Sequence, residues 1–439
     1  MPLSLVRLQA VSLVASIIAI AAPAVLAADD SPAQGIGGYR GYSPAIARIE
    51  FPNEDGSGQE YGFERGEPVR GVIRLGVPVK AQAGTYTLKI SDSFGRQLVN
   101  KLAILPKDSE PLSEIPFEVS VPNAVVQRHT LQVAVSGGDG KAQSAQRTFL
   151  YRLPAAWTDY ICGVWHRHNE KRLPYLQEMY LTGSQWPGNG VLPPQDWIDH
   201  NYWFYLEGTG NWVFAPYHIW MPDREKTYYY EEAKKAFIAN REDLRILERN
   251  PCLSNHIIQE RIRREFGNAA RIYRNYRPLY YTVADESGIA NQAAPFDFCF
   301  SPQCQARFRA WLQERYPSLE ALNQQWGTRF KTWDEVRGAT TDEIFAREGD
   351  NFSQWCDHKE FMDDVLVGAY ALAGESVKRV DKAGRLGIGG VQGGVQPVAA
   401  AIAGEHPPGA VGAVRGRCQA DDQQPRAVVA ETRHRPADR

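Results

Sequence analysis

The sequence has almost no net charge. Its 49 lysines and arginines against 51 aspartates and glutamates leave a formal charge of -2. That argues against a nucleic-acid partner recruited by overall charge. Cysteine is scarce, with six in 439 residues: Cys162, Cys252, Cys299, Cys304, Cys356 and Cys418. After the first 27 residues no apolar run is long enough to cross a bilayer, which takes about 20 residues. The end of the chain lacks more. Beyond Leu386 there is no leucine, methionine, lysine, serine, asparagine or aromatic residue. Such a stretch does not supply the branched and aromatic side chains that fill a barrel's interior layers. A natural disordered tail has a similar composition. The apolar pattern, however, breaks off inside a strand-like run rather than at a linker, which reads as an abrupt shift of reading frame in a GC-rich gene.

The N-terminus carries an export signal. Arg7 supplies a positive charge, residues 11–20 an apolar stretch, and Ala27 the small residue a signal peptidase needs. Residues 1–27 therefore read as a secretory signal, with an uncleaved anchor as the alternative. The mature chain is expected to be secreted or periplasmic, free of the membrane after cleavage. In such a compartment disulfides are able to form.

Residues 28–155 carry short β-rich runs at 69–75, 84–90, 97–105, 115–121, 130–135 and 147–152, separated by turn signals such as Gly137-Gly138-Asp139-Gly140. This spacing predicts an antiparallel β-sandwich of immunoglobulin or fibronectin type. It holds no catalytic constellation; it braces the barrel or binds polysaccharide, and bracing is the simpler role.

From residue 156 to about 390 strands and helices alternate. Strands are expected at 160–165, 182–186, 211–220, 280–284 and from 386. Helices are expected at 170–180, 224–250, 254–276 and 351–380. That alternation predicts a TIM barrel of the (β/α)8 type, incomplete at its C-terminal end, with residues 391–439 as a tail. The chain is thus multidomain. The arginines along 254–276 resemble a phosphate-binding array, but a solvated outer helix face accounts for them. Eleven tryptophans and twenty tyrosines suit the apolar faces of sugars, although core packing explains most aromatics.

The most informative stretch is 280–330. Tyr280, Tyr281, Thr282 and Val283 read as a strand that ends on two carboxylates, Asp285 and Glu286. The C-terminal end of a strand is where a parallel barrel places its chemistry. Ser301 and Pro302 then open a helix with Phe308, Trp311 and Leu312 on its buried face. A second helix carries Leu319, Leu322 and Trp326 and stops at Gly327.

The run Glu286, Phe308-Arg309-Ala310-Trp311-Leu312, Tyr316, Leu322-Asn323, Trp326-Gly327-Thr328 and Phe330, with Trp355 and Phe361 beyond, resembles glycoside hydrolase family 42, the β-galactosidase-like barrels of clan A. The resemblance covers roughly residues 280–361. It implies a retaining glycosidase with Glu286 as acid/base, an oligo- or polysaccharide partner and no organic cofactor. Asp285 stands where the family has an asparagine that donates to the sugar 2-hydroxyl. An ionised aspartate only accepts, so galactoside specificity does not carry over. Cys299 and Cys304 resemble part of a cysteine cluster that some members use for zinc. Two cysteines are too few for a four-ligand site, so no metal is assigned, and buried thiols or a local disulfide are the expectation.

Retaining hydrolysis needs two carboxylates about 5–5.5 Å apart. Glu286 fits the acid/base role, and a desolvated Asp285 beside it would raise its pKa. The plain alternative is a pair of ordinary loop carboxylates. Trp165, His166, Trp186, Trp203, Tyr217, His218 and Trp220 are candidates for a sugar-binding wall. Glu207 and Asp223 are further carboxylates with no motif behind them. The resemblance places the nucleophile at the end of a seventh barrel strand, and neither Glu405 nor Glu431 lies after a strand-like run. Three readings stay open: a secreted retaining β-glycosidase, a non-catalytic carbohydrate-binding protein with a degenerate cleft, and an inactive incomplete chain. Sugar, linkage and oligomeric state are not legible.

Overall fold

The computed structural model describes residues 47–54, 59–79, 84–105, 111–137, 142–153, 160–165, 172–216, 236–237, 239–285, 287–289 and 297–388. The signal, the tail beyond 388, Glu286, His166, Tyr217, His218, Trp220 and Asp223 lie outside these residues.

The N-terminal strands are β1 (Arg48–Glu50), β2 (Tyr61–Phe63), β3 (Val69–Val79), β4 (Thr85–Asp92), β5 (Gln97–Ile104), β6 (Leu112–Val119), β7 (Arg128–Ser136) and β8 (Ala142–Tyr151). They form two sheets, in the orders β1-β3-β6 and β2-β8-β7-β4-β5. All pairings are antiparallel except β2 with β8. Alternation decides which side chains go inward. In β6, Ile115, Phe117 and Val119 are buried while Glu114, Pro116 and Glu118 are exposed. In β7 the inward set is His129, Leu131, Val133 and Val135. Ile73 and Ile115 from one sheet and Leu88, Leu131 and Phe149 from the other share one core. Strands β1 and β2 have no signal in the sequence; three residues each are too short to pattern, and their partner strands define them.

A third sheet comes next: β9 (Gly163–Val164), β10 (Gly183–Pro187), β11 (Trp203–Glu207), β12 (Tyr281–Thr282) and β13 (Leu386–Gly387), side by side in chain order. Every pairing is parallel. All five residues of β11 are buried, as expected where both faces of a parallel sheet are covered. Phe204 and Leu206 join the core under the helices His256–Tyr273 and Ser353–Val380, which supply Ile262, Phe266, Tyr273, Val365, Ala369 and Val377.

Two local expectations are corrected. The third strand is β11, and Asn211–Phe214 within the expected strand 211–220 is a helical turn. Trp212, Val213 and Phe214 have strand-like composition, but Gly210 lies against the backbone of Val283, where a Cβ would come within 2.3 Å of the Val283 carbonyl oxygen. The chain turns there instead of extending. Residues 240–250, expected to be helical, hold turns and the 3-10 segment Leu244–Leu247, capped by Asp243.

The residues behind the family resemblance brace the helices. Ser301 caps the helix Pro302–Arg315 by accepting from Cys304 N. Trp311 donates to Asp364 at 2.7 Å. Tyr316 and Trp326 both donate to Asp357 Oδ2 at 2.7 Å. Asn323 donates to Phe330 O and accepts from Thr328 and the Phe330 amide, each at 2.8 Å. Gly327 ends the helix Leu319–Trp326 in the left-handed region at φ 67°.

A polar junction joins the N-terminal sheets to the helical part. Arg152 donates to Glu64 at 2.8 Å and to Asn275 at 2.9 Å. Arg277 grips both oxygens of Glu64 at 2.7 and 2.8 Å and the Leu153 carbonyl at 2.6 Å. Burial alone would raise the Glu64 pKa, but Arg152 and Arg277 outweigh it and hold the carboxyl below its ordinary value. A depressed folded pKa stabilises above the unfolded value of about 4.3 and is lost as pH falls through the folded pKa. Glu64 is 44% exposed, so solvent screening limits the effect to about 1 kcal/mol or less. Thermal unfolding of Glu64→Gln should start below wild type at pH 7 and converge with it below about pH 4. Parallel curves at all pH values would remove Glu64 from the acid response.

Candidate active site

The candidate site is built around the C-terminal end of β12. Main-chain bonds hold β12 on both sides: Leu206 N to Tyr280 O at 3.0 Å, Tyr281 N to Arg385 O at 2.8 Å and Val283 N to Gly387 O at 2.9 Å. Val283 and Ala284 are fully buried. Asp285 N donates to Asn211 Oδ1 at 3.3 Å. Glu286 itself lies outside the described residues, but its neighbours are fixed on both sides. The Ser287 hydroxyl meets Tyr370 OH at 2.7 Å, and Gly288 N donates to Phe214 O at 3.0 Å. Burial raises the Tyr370 pKa, and the bond to Ser287 opposes that rise.

Arg249, 2% exposed, secures the same segment from below. Its guanidinium donates to the carbonyls of Ile289 at 2.7 Å, Gly288 at 3.1 Å, Val213 at 2.7 Å and Pro251 at 2.6 Å. The sequence does not point to Arg249, because nothing in it marks a buried arginine.

The parallel register sorts the other candidates. Gln185 pairs with Tyr205, Trp186 with Leu206 and Pro187 with Glu207, so each pair shares a face. Tyr205 and Glu207 thus lie on the face opposite Phe204 and Leu206. Tyr205 stacks on Tyr280 at 5.0 Å between centroids and on Trp165 at 5.6 Å. Burial raises the Tyr205 pKa, helped by Tyr280, Glu207 and Asp285. Tyr280 is raised by its own burial and by Glu207. The structure therefore brings Trp165, Tyr205 and Tyr280 together as an aromatic stack with Glu207 on the same face of β11, and buries Tyr205 and Glu207 within it. Trp165 is 49% exposed and Glu207 is 5% exposed.

Trp203 lies on the same face of β11 and is buried like Tyr205, but the stack of Trp165, Tyr205 and Tyr280 does not include it. Trp186 is on the helix side: its indole donates to Val191 O at 2.7 Å and packs edge-on against Trp197. Tyr205 and Tyr280 are not among the residues expected from sequence to form the sugar wall. The unbroken apolar and aromatic run Trp203-Phe204-Tyr205-Leu206 is the available signal, and the expected third strand at 211–220 starts past it.

Among the described residues, one group of three metal-capable side chains comes together: Cys252, Cys299 and Cys304. The sequence suggested two of these. Cys252 joins them from the segment preceding the helix His256–Tyr273.

Comparison with known proteins agrees with the family resemblance of residues 280–361. The family model for glycoside hydrolase family 42, described as beta-galactosidase, matches residues 232–385. A Thermus thermophilus beta-galactosidase is 34% identical over 81 residues, which is 18% of this chain and 12% of that protein. The Heyndrickxia coagulans beta-galactosidase LacZ is 33% identical over 85 residues, 18% of this chain and 12% of that protein. The matched parts thus span about an eighth of these relatives. Among solved structures, a beta-galactosidase from Bacillus circulans sp. alkalophilus overlays with a TM-score of 0.34 at 17% identity, covering 52% of this chain and 36% of that one. Over residues 232–385, then, this chain is glycoside hydrolase family 42-like, across a part of the family's length.

Proposed function

We propose that this chain belongs to an exported glycosidase of the retaining β type, with β9 to β13 as strands of a (β/α)8-type barrel. On this reading the two N-terminal sheets are a sandwich that braces the barrel. Glu286 is the general acid/base, and Trp165, Tyr205 and Tyr280 form the sugar platform. The observation that carries the reading is how the residues flanking position 286 are held. Its neighbours Asp285, Ser287 and Gly288 are tethered at the C-terminal end of a central parallel strand, inside the stretch that matches family 42.

In the resembled family the nucleophile comes from a later strand, and beyond Leu386 the sequence has no leucine or aromatic residue, with neither Glu405 nor Glu431 following a strand-like run. The 439 residues should therefore bind sugar without turning it over, since the covalent intermediate needs the second carboxylate. The test is hydrolysis of aryl β-galactosides and β-glucosides by the purified chain, set beside a longer chain in which the strand pattern continues past residue 386. Activity only in the longer chain is expected. Equal activity in both would sink the assignment of the nucleophile, and none in either would sink the enzyme reading. The second reading, a non-catalytic sugar-binding protein, is favoured by Asp285 in place of the family's asparagine. It takes over if both chains bind oligosaccharide and neither cleaves it.

A further inference from the structure

Three thiols meet away from the candidate active site. Cys299 and Cys304 bracket the start of the helix Pro302–Arg315, and Cys252 comes from the preceding loop. All three sulfurs lie within 4.8 Å of one another, with Cys252 and Cys299 3.9 Å apart. All three are buried and free of disulfides. Hydrogen-bond donors point at the sulfurs. Arg249 N–H reaches Cys299 Sγ at 3.3 Å, the Ser254 hydroxyl reaches Cys304 Sγ at 3.5 Å, and the Ser301 hydroxyl reaches Cys252 Sγ at 3.1 Å. Such outer donors are what orient and stabilise metal-bound thiolates. The thioether of Met362 lies 3.7 Å from Cys304 Sγ.

Zinc is the ion the family resemblance suggests, and the residues present do not fit it. A metal–sulfur bond of about 2.3 Å in a tetrahedron sets sulfurs ~3.8 Å apart, a spacing the trio approaches. A closed zinc site, however, takes four nitrogen or sulfur ligands. Here the fourth corner is the Ser301 hydroxyl, which touches both Cys252 and Cys299 at 3.1 and 3.3 Å and accepts from Cys304 N at 3.3 Å. A neutral alcohol oxygen that already caps a helix is a poor zinc ligand.

We infer that Cys252, Cys299 and Cys304 form a three-sulfur site for a soft monovalent ion, copper(I), and that Ser301 occupies the corner a fourth sulfur would need for zinc. Thiolate and thioether donors select such an ion, and the set contains no imidazole or carboxylate that would favour a harder one.

The test uses the full chain, reduced and metal-free, given one equivalent of zinc or of copper(I). It is then challenged with a chromophoric zinc chelator or a copper(I) chelator. Wild type should surrender its zinc and keep one copper(I). Ser301→Cys should hold zinc about a hundredfold more tightly than wild type. Circular dichroism checks that this variant folds. If it does not, Cys252→Ser and Ser301→Ala decide: the first should release copper(I), and the second should keep it with a hold weakened by roughly ten- to hundredfold, the cost of a lost outer donor rather than of a lost ligand. The inference is overturned if wild type holds stoichiometric zinc as firmly as Ser301→Cys. It is equally overturned if Cys252→Ser keeps copper(I) as firmly as wild type, or if Ser301→Ala loses it as completely as Cys252→Ser.

Discussion

Replacing Glu286 with glutamine should lower turnover of a natural β-glycoside by roughly 10²–10⁴-fold, the range that general acid–base catalysis supplies. The measurement requires a chain that continues through the later strands. Glutamine keeps the size of the side chain and removes the titrating proton, so substrate binding should change little. Aryl glycosides with very good leaving groups need no protonation, and their glycosylation step should lose far less. That contrast separates a missing proton donor from a misfolded site, which would slow all substrates alike. The tethers on both sides of residue 286, from Asn211, Tyr370 and Phe214, give the substitution a fixed frame. Unchanged turnover on the natural glycoside would rule Glu286 out.

Arg249→Met should cost about 3–5 kcal/mol of stability. The side chains are similar in length, so the loss comes from the hydrogen bonds. Removing the guanidinium strips a donor from the carbonyls of Val213, Pro251, Gly288 and Ile289 around a side chain that is buried. Arg249→Lys should recover only part, because an ammonium on a flexible stem does not present a planar fork in several directions. Urea denaturation monitored by tryptophan fluorescence reads both variants. A loss below about 1 kcal/mol for Arg249→Met would show that those carbonyls find other partners.

The sequence foretells what local chemistry decides. Ser301-Pro302 opens its helix and Gly327 closes the next, because a cap and a left-handed glycine act within a few residues. Of the stripe Ile258, Ile262, Phe266, Ala269 and Tyr273, the last four are buried as helical spacing requires and Ile258 is half-buried. The features that escape are set by partners far along the chain. β11 carries no alternation, since both its faces are covered, and so the sequence pattern points to a third strand several residues too late. Tyr205 and Tyr280 become neighbours only through the order of the parallel strands. Cys252 joins Cys299 and Cys304 across 47 residues, and Arg249 finds carbonyls up to 40 residues away. Neither relation leaves a trace in spacing.

The polar junction has a consequence for how the chain comes into being. The strands β1 to β8 precede the helical part, so in N-to-C delivery, by synthesis or by export, they are available to fold first. Glu60 and Glu64 are then in place, with Arg128 holding Glu60 at 2.7 Å. When residues 275–277 emerge, Asn275 donates to the Glu60 carbonyl at 2.8 Å and Arg277 closes on Glu64. The N-terminal strands thus offer a template on which the helix His256–Tyr273 and the turn after it are anchored, before β13 has been synthesised.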